Sequence, residues 1–457
     1  MTDAASAAAS FATAITLDLA IPLEAMDDAT LIAEGEYDFD LPEAPGVILD
    51  IGANVGLFAI WAAHRWPAAF INAFEPWPEN LRDLRANTAP YGQIHITDSA
   101  VSDRNHYARM APGHNRMCCH LATASPEGAS IEVHVMDAAN CIAADFIKID
   151  CEGEEWKILQ RLDLSRAQAI AIEAHSYYLA WRIQRFLRAR GFTCILCKET
   201  LNGCHLLKFR PTKNEEPGTK NELLLPPKLF IGLPVYGGYH PHFVGSLMNM
   251  MADPPCDSMS IVQCSGDSLV SRARNKLAAQ FIHDSQATHF LFLDTDLIFS
   301  SDHIRRLLSH EVPVVAGLYP KKQRELAWVV NCLDDCPPPH ERGLQPVKYA
   351  GTGCLMIERG IFEQLIEAHP ELAYTPDDGD SHKHTRWDFF SVGVWTDPKT
   401  DRRRHLSEDW YFCQRVLDLG HQVLADTQVL LKHCGDCVYP LDDLPRKESS
   451  HPSADSL

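Results

Sequence analysis

A chain of 457 residues with a formal net charge of -20 is too long for one hydrophobic core. It is also too acidic to offer the basic face that a nucleic acid or an anionic membrane requires. The beginning of the sequence lacks the basic stretch of a signal peptide, and no window reaches the apolar length that spans a bilayer. Fifteen cysteines follow no disulfide-scaffold spacing, so a cytoplasmic protein with reduced thiols is expected.

Residues 1–39 read as an amino-terminal extension. From 40 to 210, strand and helix patterns alternate. Val47 to Asp50 reads as a strand, Val55 to Trp66 as a helix, Phe70 to Phe74 as a strand, Pro78 to Asn87 as a helix and Ile94 to Ile96 as a third strand. A looser stretch follows. Then come a strand at Phe146 to Ile149, a helix from Glu154 to Leu162, a strand at Ala169 to Ile172 and a helix from Tyr177 to Arg190. Phe192 to Leu196 and His205 to Phe209 predict a closing hairpin with its turn at Asn202-Gly203. The pattern is that of a doubly wound parallel sheet with an antiparallel finish.

Chemistry is concentrated where the first strand ends, at Asp50-Ile51-Gly52-Ala53-Asn54-Val55-Gly56. Two glycines let the backbone bend and bring a ligand close to the chain. Glu75, at the end of the next strand, is placed to accept hydrogen bonds from ribose hydroxyls. A dinucleotide fingerprint would need glycine where Asn54 stands and a third glycine beyond, so a nucleoside ligand without phosphates fits better.

These residues resemble the class I S-adenosylmethionine-dependent methyltransferases, in particular the FkbM-like family. The pieces that carry the likeness are Asp50 to Gly56, Ala73-Phe74-Glu75-Pro76, Ser99 to Asp103, and Phe146 to Glu155 with its Lys-Ile-Asp-x-Glu-Gly run. The resemblance implies a Rossmann-like sheet and methyl transfer to an oxygen, often of a sugar or polyketide. It implies that Asp50, Gly52, Asn54, Gly56 and Glu75 hold S-adenosyl-L-methionine, with Ser99 near the adenine. Removing the hydroxyl proton needs a base, for which Asp150, Glu152, Glu173 and His175 are candidates. Helix capping for the first two, and a satisfied strand-end histidine for the last, are the plainer alternatives.

Residues 211–227 are polar, bear Pro and Gly and read as a linker. From 228 to 440 a second α/β pattern begins with a strand at Leu229 to Leu233 that runs into a Pro234 loop, and a strand from Ser260 to Gln263. A helix from Ser268 to Phe281 carries Arg272 and Arg274, candidates for a nucleotide phosphate or base. The apolar run His289 to Leu293 then leads into Asp294-Thr295-Asp296. An apolar run of this length fits a strand buried on both faces, and two carboxylates at its end are cheapest to place when a hard divalent cation joins them. Turn and cap chemistry is the alternative. A helix from Ser301 to Ser309, a strand Val312 to Leu318, a Gly351-Thr352-Gly353 loop, a helix capped by Ser407 and a strand ending at His433 complete the unit. Trp387 to Trp395 is an aromatic segment with two readings, acceptor stacking or core packing. Cys194-Ile-Leu-Cys197 and Cys434-Gly-Asp-Cys437 are in different domains and are expected as thiols. Residues 441–457 read as a tail.

The ordered set of motifs in this half resembles a glycosyltransferase of the GT-A fold, distantly similar to the Anp1 mannosyltransferases. The resemblance implies that Asp294 and Asp296 hold a manganese or magnesium ion, that His433 completes its shell, and that the ion bears a sugar nucleotide donor also contacted by Pro234, Arg272, Arg274 and Asp294. Glu408 or Asp409 would orient a glycan acceptor or act as base. The expectation is therefore a two-domain α/β enzyme that transfers both methyl and sugar groups. A methyltransferase with a non-catalytic second domain, or a non-catalytic scaffold, is the alternative.

Overall fold

The computed structural model describes residues 30–32, 35–112, 119–121, 130–200, 203–212, 224–333, 338–340, 342–376, 385–397, 400–435 and 437–439. Most of the expected extension and linker, Asn202 of the expected turn and the whole tail lie outside them. The chain divides into two compact units, Met1–Leu225 and Pro226–Leu457.

In the first unit the strands are β1 (Val47–Ile51), β2 (Phe70–Phe74), β3 (Ile94–Thr97), β4 (Ala100–Ser102), β5 (His106–Pro112), β6 (Cys119–Leu121), β7 (Ile131–Asp137), β8 (Phe146–Ile149), β9 (Ala169–Ala174), β10 (Phe192–Glu199) and β11 (His205–Pro211). The helices are α1 (Leu57–Arg65), α2 (Pro78–Thr88), α3 (Glu155–Arg161) and α4 (Tyr177–Ala189). Seven strands form one sheet in the order β10-β11-β9-β8-β1-β2-β3, parallel except where β11 meets its neighbours. β8 is buried along its whole length because helices cover both faces of a parallel sheet. Pro78, whose missing N–H costs nothing there, starts α2, and the Ser176 hydroxyl accepts the Leu179 N–H to start α4.

The stretch that sequence leaves loose contains a second sheet, ordered β4-β7-β5-β6. Its strands are short and only partly covered; Trp77, Ala100, Met110, Val133 and Val135 form its small core. So little apolar content, spread over separate three- to seven-residue strands, gives a weak period-two signal.

The second unit contains β12 (Lys228–Val235), β13 (Ser258–Ser265), β14 (His289–Leu293), β15 (Leu297–Ile298), β16 (Val314–Leu318), β17 (Val330–Cys332), β18 (Leu344–Ala350), β19 (Cys354–Glu358), β20 (Ala373–Tyr374), β21 (Arg386–Trp387), β22 (Gly393–Thr396), β23 (Arg403–Leu406), β24 (Val423–Leu430), β25 (Lys432–Cys434) and β26 (Val438–Tyr439). Its helices are α5 (Pro241–Ala252), α6 (Val270–Asp284), α7 (Ser301–Ser309), α8 (Arg359–Ala368) and α9 (Glu408–Asp418). A mixed eight-stranded sheet runs β13-β12-β14-β19-β16-β24-β18-β17. All five residues of β14 are buried, as the apolar run predicts. The aromatic segment belongs to the core: Phe389 and Phe390 are fully buried and Trp387 packs beside them, which corrects the acceptor-stacking reading. Among the described residues no helix is long and apolar enough to cross a membrane.

Candidate functional site

In the first unit the sheet order reverses between β1 and β8, and a cleft opens at the carboxyl ends of those strands. Its empty space is about 620 Å³, and Gly52, Asn54, Glu75, Ser99, Asp150 and Glu152 are among its walls. Gly52 turns the chain out of β1 with φ +81°; a Cβ there would lie 1.7 Å from the Asp150 carbonyl oxygen, so only glycine fits. The Gly52 and Ala53 N–H groups donate to the Phe74 carbonyl at 3.1 and 2.8 Å, tying this turn to β2.

Glu75 receives that turn. Its Oε2 accepts the Asn54 N–H at 2.9 Å and its Oε1 the Trp77 N–H at 2.8 Å. Burial pushes its carboxyl up to about 7, against the opposing pull of these hydrogen bonds. Asn54 Oδ1 is buried with no hydrogen-bond partner, an acceptor left over for a ligand. Ser99 donates to the Asp98 carbonyl at 2.7 Å and has His134 Nδ1 at 2.8 Å.

Two expected cofactor residues do other work. Asp50 is fully buried, does not line the cleft, and faces Lys148 Nζ at 3.4 Å. Gly56 (φ +92°) sits at the start of α1, where a Cβ would meet Leu84 Cδ1 at 2.7 Å, so it serves helix packing. Lys148 was not among the expected residues, although a lysine inside the apolar strand Phe146–Ile149 was a readable signal. Its ammonium donates to the Gly52 carbonyl at 2.6 Å and lies 3.5 Å from Asp150. Burial alone would lower its pKa, but Asp50 and Asp150 outweigh that and raise it.

Among the base candidates, Asp150 and Glu152 face the cleft. Glu173 lies deeper, where burial first, and then the Asp150 charge, push its carboxyl up to about 8. His175 Nδ1 is 2.7 Å from Glu155 Oε1, and its Nε2 is 3.4 Å from Glu152 Oε2 and 3.7 Å from Asp150 Oδ1. Burial opposes charge on the ring, but Glu152 and Glu155 prevail and push it up to about 12. The ring is enclosed by carboxylates and does not line the cleft, so of the base candidates Asp150 and Glu152 stand nearer to where an acceptor would enter. Met110 and Leu121, which sequence reasoning missed, complete the apolar wall beside Pro76 and Val101 because the small sheet folds over the cleft.

In the second unit the motifs converge on the turn after β14. The Asp294 N–H donates to the Gly353 carbonyl at 2.9 Å, which explains the glycine: a Cβ on Gly353 would lie 3.0 Å from Asp294 Oδ2 and 2.6 Å from the Tyr319 hydroxyl. Arg274, 3% exposed, donates to Asp294 Oδ1 at 3.1 Å and has its Nε 3.7 Å from Glu408 Oε1. The loop beyond Pro234 reaches the same turn, since the His240 N–H donates to the Thr295 carbonyl at 3.0 Å and the Thr295 hydroxyl donates to the Gly238 carbonyl at 3.2 Å. Pro234 itself lies within β12, opposite Cys264.

β15 and β25 pair antiparallel with Leu297 opposite His433, and the Cys434 N–H donates to the Asp296 carbonyl at 2.7 Å. This brings His433 Nε2 within 3.5 Å of Asp296 Oδ2, which also accepts a hydrogen bond from Lys322 Nζ at 2.6 Å. Burial would raise the Asp296 pKa, but His433 and Lys322 pull it down to about 2. His433 Nδ1 lies 2.9 Å from the Pro320 carbonyl, so Nδ1 carries a proton and Nε2 is directed at Asp296. Two expectations are corrected here. Arg272 is a surface residue bound to Asp267 at 2.8 Å. Asp409 Oδ1 accepts the Ser407 hydroxyl and the Trp410 N–H within its own helix turn, and of the two acids it is Glu408 that pairs with Arg274.

Comparison with known proteins bears on the first unit. The family described as "Methyltransferase FkbM domain" matches residues 50–194. The 31-O-demethyl-FK506 methyltransferase FkbM of Streptomyces tacrolimicus is 27% identical over 199 residues, covering 34% of this chain and 76% of that protein. The AMB antimetabolite synthetase AmbE of Pseudomonas aeruginosa is 43% identical over 58 residues, 12% of this chain, and the chain spans only 3% of that synthetase. Among solved structures, a SAM-dependent methyltransferase from Aquifex aeolicus aligns at 15% identity with a TM-score of 0.26, over 44% of this chain and 97% of that one. A197 from STIV aligns at 15% identity and a TM-score of 0.29, over 46% of this chain and 86% of that one. Over residues 50–194 the amino-terminal unit therefore matches the family described as "Methyltransferase FkbM domain".

Proposed function

We propose that this chain is a bifunctional, cytoplasmic glycan-modifying enzyme. Its first unit methylates a hydroxyl of a sugar or related acceptor from S-adenosyl-L-methionine. Its second unit, a GT-A-like domain, transfers a sugar from a sugar nucleotide with the help of manganese or magnesium.

In the first unit the residues suit a nucleoside cofactor. The Gly52 turn admits a ligand at backbone distance, Glu75 offers carboxylate oxygens for ribose hydroxyls and Asn54 Oδ1 is an unspent buried acceptor. The cofactor supplies an electrophilic methyl group. The chain's own contribution is to hold it in line with the acceptor, exclude water with the Met110 and Leu121 wall, and take the hydroxyl proton at Asp150 or Glu152.

The observation that carries the sugar-transfer reading is the meeting of Asp296 and His433. His433 Nε2 and Asp296 Oδ2 stand 3.5 Å apart, a spacing that a divalent cation between them would bridge. Asp296 Oδ1 is buried without a partner, and Asp294 and Glu408 stand close by around Arg274. These oxygen and imidazole donors fit a hard divalent ion. Its chemistry would be to offset charge on a departing diphosphate. The deciding experiment is metal-dependent hydrolysis of sugar nucleotides by the whole chain, expected in wild type and lost in Asp296→Ala.

One observation favours a second reading. Lys322 and Arg274 already neutralise Asp296 and Asp294, as in a domain that binds a nucleotide or glycan without turning it over. Absence of hydrolysis in both proteins, with nucleotide binding retained, would favour it.

A further inference from the structure

We infer that the first unit holds a transition-metal site, suited to zinc, built from Glu173, His175 and Cys204 at the edge of the methyl-transfer cleft. One potential donor atom from each lies within 4.8 Å of the others. The topology explains the meeting. Glu173 and His175 are two apart at the end of β9, and side chains two apart on an extended strand share a face. β11 runs antiparallel beside β9 with His205 opposite Ala174, so Cys204, one residue earlier, comes level with His175.

The surroundings are those of a ligand set. His175 Nδ1 faces Glu155 Oε1 at 2.7 Å, and Glu155 is fully buried and anchored by the Gly153 N–H at 3.0 Å. A carboxylate behind one ring nitrogen orients the imidazole, and a metal at the other takes the place of the proton held there, which is released on binding. That other nitrogen, Nε2, points to the side where Glu152 and Asp150 lie, at 3.4 and 3.7 Å. The Thr200 hydroxyl donates to Glu173 Oε1 at 3.3 Å, which fixes this carboxylate as well. Thiol, imidazole and carboxylate together select a borderline-soft ion, and three protein ligands leave a fourth position open. Asp150 and Glu152 line both this cluster and the cleft, so the open position is directed to where an acceptor must stand. An oxygen bound there has a lowered pKa, which is what a methyl acceptor needs. The purpose assigned to the ion rests on the methyl-transfer reading; its binding does not.

The test is therefore a binding measurement on the full chain, in an Asp296→Ala background to silence the second unit's acids. Metal-stripped protein is titrated with zinc by calorimetry and with cobalt(II) by absorption. Expected are stoichiometric binding, a thiolate-to-cobalt charge-transfer band that disappears in Cys204→Ser, and zinc affinity about 10- to 100-fold weaker in Glu155→Gln. S-adenosylmethionine binding, measured separately, checks that each variant is folded and tests the cofactor cleft on its own. Metal binding without cofactor binding would uphold the site and sink the methyl-transfer reading. No zinc binding, or a cobalt spectrum unchanged by Cys204→Ser in protein that still binds S-adenosylmethionine, would overturn the site.

Discussion

Lys148 Nζ donates to the carbonyl of Gly52 while standing 3.4 Å from Asp50, so one buried ammonium both neutralises the acid beneath the Gly52 turn and fixes the turn itself. Removing one partner of a buried pair leaves the other charge uncompensated. Lys148→Met is expected to cost about 3–5 kcal/mol of unfolding free energy in urea. Asp50→Asn with Lys148→Met should recover part of it, since the two residues share one interaction.

Gly52→Ala is expected to abolish S-adenosylmethionine binding. Its Cβ would collide with the Asp150 carbonyl, and the left-handed backbone would be strained as well. Equilibrium binding of the cofactor, compared with Gly153→Ala, checks the collision separately from the strain: Gly153 also has positive φ (+115°), but a Cβ there meets nothing within 4 Å.

Glu75 gives a pH signature. Its carboxyl titrates near 7 when folded and near 4.5 when unfolded, so across that window the folded state holds a proton that the unfolded state has lost. Stability therefore falls as pH rises from about 4.5 to 7, and Glu75→Gln should flatten that part of the profile in thermal melts. Cofactor affinity should move the opposite way, rising through pH 7 as the carboxylate becomes a full acceptor, with the rise absent in the variant.

Lys322→Met separates the two readings of the second unit. Its ammonium rests on Asp296 Oδ2 from a partly exposed position. If a divalent ion belongs on that oxygen, removing its competitor should tighten manganese binding several-fold by calorimetry. If the lysine is the permanent counter-ion, the variant gains no affinity for manganese.

Arg272→Ala and Arg274→Ala should differ sharply. The first removes an exposed pair with Asp267 and should shift stability by less than about 1 kcal/mol. The second strands Asp294 and Glu408 around a buried hole and should cost both stability and nucleotide binding.

How far the sequence led depended on whether a signal was local. Phe146–Ile149 and His289–Leu293 were legible because consecutive burial needs only consecutive apolar residues. The Gly52 turn and Glu75 were legible because strand, turn and next strand lie close in the chain. Arg272 and Arg274 look alike in sequence, and only the face that α6 turns to the sheet distinguishes a surface charge from a buried one. Cys204 carried no local signal at all; its nearness to His175 is a product of β9–β11 register. The methionine and leucine of the cleft wall were invisible for the same reason, since they come from strands too short and too half-covered to show a period.

The ladder between β15 and β25 has a consequence for synthesis. The acid turn leaves the ribosome long before the strand that carries His433, and its Leu297–Ile298 edge has to wait for Lys432 and His433. Until those residues emerge, Asp296 lacks both its imidazole neighbour and the Cys434 N–H that holds its carbonyl. A nascent chain stopped short of 432 would carry every signature motif but the last and still lack the ladder that brings an imidazole to Asp296.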